Sequence, residues 1–315
     1  MNAAQQILKT NILLESGTNE LEIVEFSIGT NSYGINVAKV REIIRYPDAI
    51  VPVPESHPSV EGIANIRGQV IPIINLQKHL GETDQADKPA SYIIISEFNK
   101  TMVGFRVGSV SRIHRLSWEQ IESPTGMISS DEGIVTAIVK LDERMILLLD
   151  FEKITADINP QSGMEASVEG AVVKENKEFD RSSCTVFIVE DSSYIQKIIT
   201  CTLEKAGYKV CAASDGKAAW DKLTSIVGSE HFKSINDHIN IIISDIEMPR
   251  MDGLHLIKNI KSNEALRKVP CVVFSSLISP EMSLKCKSVG ADAEISKPEI
   301  GNLVNLVDSF VKPQV

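Results

Sequence analysis

Hydrophobic and polar positions follow two rhythms along the chain, and the change comes near its middle. From residue 21 to about 150, apolar and polar residues alternate in short runs, the period of strands with one face in a core. Residues 21–28 alternate in this way, Gly29 to Ser32 turn the chain, and 33–37 return it, a hairpin signal. A second hairpin joins 62–67 to 70–74 about Gly68, and two more join 92–96 to 102–107 and 134–139 to 145–149. Short helical breaks are expected at 40–44 and 151–154, and Pro47, Pro52 and Pro54 mark a loop or edge. Strands at this spacing predict small barrels rather than a sandwich.

From residue 184 the strand-like runs become solidly apolar, the habit of strands buried on both faces of a parallel sheet. They fall at 185–189, 209–213, 241–244, 269–274 and 293–296, separated by helical patterns at 194–206, 216–227, 254–261, 280–289 and 300–311. Alternating βα units predict an α/β doubly wound sheet of five parallel strands. Residues 228–240 are longer than a tight αβ loop needs, so they are either a disordered insertion or an added contact. The organisation is then an N-terminal segment 1–19 with a short amphipathic stretch, a β domain 20–157, a polar linker 158–183 of mixed charge, and an α/β domain 184–315.

Composition narrows the classes. A length of 315 residues suits two domains, and 43% hydrophobic with 23% charged residues is ordinary for soluble protein. The net charge of −10 is spread over both halves, with 14 basic and 21 acidic residues in 1–157. That balance argues against nucleic acid or an anionic membrane as the main partner. No apolar run reaches the length of a membrane span, and residues 1–6 lack a signal peptide's charged start, so a cytoplasmic location without membrane insertion is expected. Cys184, Cys201, Cys211, Cys271 and Cys286 form no C-x-x-C pair and are expected to be reduced small hydrophobes. The six histidines have no metal-ligand spacing and are expected to be solvated or structural.

The chemistry gathers at strand ends in the second half. Glu190-Asp191 closes the first strand, Asp245 the third, Ser275 the fourth, and Lys297 the fifth. Asp245 alone could simply cap a turn. Together, though, these residues place an acid pair, a lone Asp, a hydroxyl and a lysine at one edge, where open α/β sheets bind ligands. Three clustered carboxylates cannot all ionise cheaply without a cation among them, and hard oxygen ligands suit Mg²⁺. A carboxylate beside Mg²⁺, with a lysine and a hydroxyl for phosphoryl oxygens, describes an aspartyl-phosphate site.

These residues, with Asp245 inside D-x-x-M-P-x-M-D-G and Lys297-Pro298, resemble the response-regulator receiver domain over residues 184–311. The resemblance implies phosphoryl transfer from a histidine kinase to Asp245 and slow loss by hydrolysis. It also implies Mg²⁺ held by Glu190, Asp191, Asp245 and the backbone carbonyl of Glu247, with Lys297 and Ser275 on the phosphoryl group. Receivers often carry an aromatic residue three positions before the lysine. Here that position is Glu294, a departure that touches the aromatic output switch and not the phosphorylation chemistry.

The first half offers no catalytic order, metal cluster or phosphate loop, so it reads as a binding domain. Taken alone, Glu42 and Arg67, the latter at the apex of the N-I-R-G-Q hairpin, are exposed charges worth little. The run from Gly62 to Leu76, preceded by Val40-Arg-Glu42-Ile-Ile, is similar to the CheW coupling domain of bacterial chemotaxis over about residues 20–155. This implies an SH3-like double barrel, two linked five-stranded barrels that bind the chemoreceptor cytoplasmic tip and the regulatory domain of the chemotaxis histidine kinase. Glu42 and Arg67 then become candidate partner-binding residues. The two domains in this order resemble the CheV-type chemotaxis adaptors, which implies a phosphorylation-regulated scaffold (or phosphate sink) at receptor arrays rather than a turnover enzyme. Other classes fit less of the sequence. A DNA-binding regulator needs a basic helix-turn-helix that neither half has, and a phosphatase of the haloacid dehalogenase type resembles D-x-D where position 247 is Glu. A receiver with an output outside chemotaxis would leave the CheW likeness unused.

Overall fold

The computed structural model describes residues 20–82, 92–98, 101–117, 120–122, 124, 133–141, 144–159, 179–230, 232–275 and 280–311. The N-terminal segment 1–19 and most of the linker lie outside them. The chain divides into two compact units, Met1–Pro160 and Gln161–Val315. Among the described residues no helix is long and apolar enough to cross a membrane.

The first unit is built on two antiparallel-rich sheets. In one, β1 (Glu20–Ile28), β2 (Asn31–Asn36), β8 (Val110–Ser117), β9 (Ile121–Glu122), β10 (Val135–Leu141) and β11 (Arg144–Leu149) run in the order β8-β1-β2-β11-β10-β9. The other orders β3 (Glu42–Arg45), β6 (Tyr92–Phe98), β7 (Thr101–Val107), β5 (Gln69–Asn75) and β4 (Val60–Ile66) as β3-β6-β7-β5-β4. The first sheet counts six strands rather than five because the two-residue β9 adds to the edge of β10. The expected helical break at 40–44 is corrected: a 3-10 turn occupies Val37–Lys39, and Glu42–Arg45 is a strand paired with β6. β-branched Ile43 and Ile44 are stiff at χ1 and fit a pleated, half-buried surface better than a helix. Strand β8 carries no clean alternation and was not foreseen from the sequence.

One short helix follows the β4–β5 hairpin of one sheet and another follows the β10–β11 hairpin of the other. Helix α1 (Leu76–His79) is capped by Asn75, whose side chain accepts from Lys78 N at 3.0 Å. Helix α2 (Phe151–Ile158) is capped by Asp150 and runs one turn beyond the expected 151–154. Phe151 is fully buried and joins the two sheets, its ring 6.1 Å from that of Phe26 on β1 and 4.2 Å from that of Phe105 on β7.

The second unit is a sheet of five parallel strands, β12 (Thr185–Val189), β13 (Lys209–Ala213), β14 (Ile241–Ser244), β15 (Cys271–Ser275) and β16 (Ala293–Ser296), in the order β13-β12-β14-β15-β16. Helices α3 (Ser193–Lys205), α4 (Gly216–Val227), α5 (Gly253–Ser262), α6 (Pro280–Ser288) and α7 (Leu303–Val311) alternate with the strands. One core packs α4, α5 and α6 on the sheet, and the other packs α3 and α7. In α3 the buried Ile195, Ile198, Ile199, Thr202 and Leu203 follow the helical stripe that the sequence predicts, under the cap of Ser192.

The connector before β14 is an added contact and not a disordered insertion. Ile235 and Ile239 are buried in the sheet's core, and Phe232 packs against it. Asn240 ties the segment down, its side chain accepting from Thr185 N at 2.7 Å and donating to Asn236 O at 3.0 Å. All five cysteines are free, but Cys201 is exposed rather than a buried hydrophobe, while Cys184, Cys271 and Cys286 are buried as expected.

Candidate functional site

The sheet starts at β12 and grows to both sides, β13 on one flank and β14 on the other, and the switch point between β12 and β14 opens a crevice at the carboxyl ends. Glu190 and Asp191 follow β12 there, and Asp245 follows β14. One carboxylate oxygen from each of the three lies within 4.8 Å of the other two. Glu190 and Asp245 are almost fully buried, and Asp191 is half-buried.

Lys297, which follows β16, is only 1% exposed, an unusual burial for a lysine. Its Nζ donates to Glu190 Oε1 at 3.1 Å and to Asp245 Oδ2 at 3.0 Å. The other oxygen of Asp245 accepts from Ile246 N at 2.7 Å, which fixes the carboxylate's orientation. Ser275 ends β15 buried, in register with Ser296 on β16. Glu247 is buried in the loop after Asp245. The neighbouring Ser276 lies outside the described residues.

The loop from Asp245 to Gly253 folds back on itself. Gly253 N donates to Ile246 O at 2.9 Å, Met248 N to Ile246 O at 3.2 Å, and Met251 N to Pro249 O at 2.8 Å. A Cβ on Gly253 would come within 1.9 Å of Asp245 O, so only glycine lets helix α5 start this close to the acid. Asp252 caps α5 by accepting from His255 N at 2.7 Å, and burial pushes its carboxyl above the usual range.

The donor set fits a divalent cation. Three carboxylates face one lysine in a mostly buried crevice, so if all three ionise the site carries two surplus negative charges. Oxygen donors alone suit a hard ion of the Mg²⁺ kind. When bound, such an ion would neutralise charge developing on a phosphoryl group beside Asp245.

Glu294 on β16 takes the place of the aromatic and turns towards α6, where Ser283 Oγ donates to its Oε1. In the first unit, Arg67 and Gly68 both have positive φ, 52° and 85°, making the two-residue apex of the β4–β5 hairpin. From that apex the Arg67 guanidinium pairs with Glu42 on β3. The sequence named both residues without signalling that they touch. Nor did it flag the pair of Arg250 with Asp215 or the buried group of Arg181, Tyr208 and Asp308, because these partners sit 35, 100 and 127 residues apart.

A doubly wound sheet with this acid and lysine crevice defines a receiver domain, here joined to a coupling-type β domain. The chain matches the CheW-like domain family over residues 22–159 and the response regulator receiver domain family over 186–308. It is 30% identical over 291 residues to the chemotaxis protein CheV3 of Helicobacter pylori, covering 89% of this chain and 91% of that protein. CheV1 of the same organism is 27% identical over 314 residues, covering 93% and 94%. Among solved structures, the scaffolding protein TtCheW of Thermoanaerobacter tengcongensis aligns with 42% of this chain and 84% of its own, at 31% identity and a TM-score of 0.39. The chain belongs to the CheV family, and it is a chemotaxis adaptor with a phosphorylatable receiver domain.

Proposed function

We propose that the first unit couples chemoreceptor cytoplasmic tips to a chemotaxis histidine kinase, and that the kinase transfers a phosphoryl group to Asp245. The observation that carries this is Lys297 bridging Glu190 and Asp245 at the carboxyl edge of the sheet. Asp245 would attack the phosphoryl phosphorus through a carboxylate oxygen as the P–N bond to the kinase histidine breaks, leaving an acyl phosphate on the aspartate and the electron pair on the imidazole. Lys297 supplies positive charge to the arriving oxygens, and Ser275 supplies a hydroxyl to one of them. Glu190, Asp191, Asp245 and the backbone carbonyl of Glu247 would hold Mg²⁺. Glu42 and Arg67 would form or support the partner-binding surface of the first unit.

On this reading the protein accepts the phosphoryl group, loses it from itself by hydrolysis, and turns over no added substrate. It would work in the cytoplasm at receptor arrays. The test is phosphoryl transfer from a purified chemotaxis histidine kinase to the full chain and to Asp245→Ala, each then scored for co-sedimentation with receptor and kinase. Label on the wild type alone, with assembly retained by both, is the expected result. An unlabelled wild type beside a competent kinase and Mg²⁺ overturns the phosphorylation half and leaves the coupling half to stand by itself.

A further inference from the structure

The loop that carries Asp245 is tied to the start of α4 by an ion pair. Arg250 Nη2 donates to Asp215 Oδ2, and Asp215 is fully buried. The same aspartate caps α4 through its other oxygen, which accepts from Ala218 N at 2.9 Å. Beside the pair, Gly216 N donates to Met251 O at 3.2 Å, and a Cβ on Gly216 would come within 2.4 Å of that carbonyl. The start of α4 and the loop are therefore in backbone contact, with the ion pair closing over them.

Two features set Arg250 apart from an ordinary loop residue. Its φ is 64°, in the left-handed region that glycine enters freely and arginine does not. Its Nε is buried with no hydrogen-bond partner among the described residues, while Nη2 carries the bond to Asp215. An outlier of this kind persists where its surroundings hold it in place.

We propose that Arg250 is a positioning residue for the phosphoryl-acceptor loop. By pinning residues 245–253 to the first turn of α4, it fixes the backbone between Asp245 and Gly253, including the carbonyl of Glu247, against the acids of β12. This rests on the reading of the crevice as a Mg²⁺-dependent phosphoryl acceptor. Arg250 touches neither the ion nor the phosphoryl group. It acts through the loop, as outer-shell partners orient ligands elsewhere.

The test uses the full chain with Arg250→Gly, Arg250→Lys, Asp215→Asn and Asp245→Ala. Arg250→Gly removes the guanidinium while suiting the left-handed backbone, so its effect cannot come from strain. Asp215→Asn keeps a helix-capping side chain and removes the charge. Three quantities are read: Mg²⁺ affinity by calorimetry, hydrogen exchange of the Met248, Met251 and Gly253 amides without metal, and labelling by acetyl phosphate across Mg²⁺ concentrations.

We expect Arg250→Gly and Asp215→Asn to weaken Mg²⁺ about tenfold, the lower end for lost outer-shell partners. The loop amides should exchange faster while those of β12 and β14 do not, and labelling should recover at saturating Mg²⁺. Arg250→Lys should restore part of the affinity by keeping the charge. A purely structural pair would lower global stability, exchange all amides faster and leave the Mg²⁺ midpoint where it was, which overturns the proposal. A wild type that takes up Mg²⁺ but no label refutes the acceptor reading, while the calorimetry and exchange data still decide the role of Arg250.

Discussion

Lys297 and Asp245 stand 52 residues apart in the chain and meet in a crevice where neither is more than 2% exposed, Nζ donating to Oδ2 at 3.0 Å. The lysine contacts two members, Glu190 and Asp245, of an acid trio that would otherwise repel. Removing one partner of a buried pair leaves uncompensated charge and costs about 3–5 kcal/mol. Lys297→Met, similar in length and without charge, should therefore lower the urea midpoint of the α/β unit in chelator. Added Mg²⁺ should recover part of the loss by replacing the missing positive charge. Labelling of Asp245 should slow by roughly 100-fold, the scale of a lost preorganised donor. A midpoint equal to wild type in chelator would mean that the acids do not ionise together.

Glu42 and Arg67 make the opposite case. Their pair sits at the surface, with the Arg67 side chain 78% exposed, and exposed pairs are worth about 0–1 kcal/mol. Glu42→Ala and Arg67→Ala should leave the thermal melt nearly unchanged while reducing co-sedimentation with receptor and kinase. The double exchange Glu42→Arg with Arg67→Glu would keep the pair and invert both charges. Recovered assembly in that variant would assign the pair a supporting role, and continued loss would place the charges on the partner itself. Full assembly in both single variants would remove these residues from the interface.

How much of this was readable from sequence depended on the range of each interaction. The parallel sheet was legible because runs such as Ile241 to Ile243 are apolar on both faces, and the crevice was legible because each acid or base directly follows a strand. The hairpin apex at Arg67-Gly68 was legible from a local turn. Strand β3 was not, because Glu42–Arg45 is extended only through pairing with β6 some fifty residues later. The Arg250–Asp215 pair left no local trace beyond an Asp-Gly before a helix, a signal that its capping role already explains. The connector at 228–240 was ambiguous for the same reason: its worth lies in Ile235 and Ile239 reaching a distant core.

Arg181 and Asp308 hold the two ends of the α/β unit together. The guanidinium spans both carboxylate oxygens, Nε at 2.9 Å and Nη2 at 2.7 Å, and the Tyr208 hydroxyl donates to the same carboxylate. Burial first, and then the carboxylate, push the Tyr208 phenol up, so it stays a donor throughout ordinary pH. Asp308→Ala should cost about 3–5 kcal/mol, since it strands a buried arginine. Tyr208→Phe removes one hydrogen bond and should cost about 1 kcal/mol. Urea denaturation of the full chain, followed through the α/β unit, ranks the two. Equal effects would show that the hydroxyl, not the ion pair, holds the site.

Glu25 on β1 is nearly fully buried and accepts from His114 on β8, at 2.6 Å, and from the Arg144 guanidinium on β11. Burial opposes its ionisation, but the bonds and charges of Arg144 and His114 prevail and hold the carboxyl below the 4.5 of a free glutamate. A depressed carboxyl binds its proton more weakly in the folded chain than in the unfolded one. Its stabilising contribution is then complete above about pH 4.5 and disappears as pH falls through the lower folded value. Glu25→Gln should be less stable at neutral pH, because it leaves Arg144 and His114 without their acid, and its stability should fall less between pH 5 and 3. Opening free energies of the β1 and β8 amides, taken by hydrogen exchange across that range, give the slope directly. The same slope in both proteins would place the acid sensitivity of the β unit in other carboxylates.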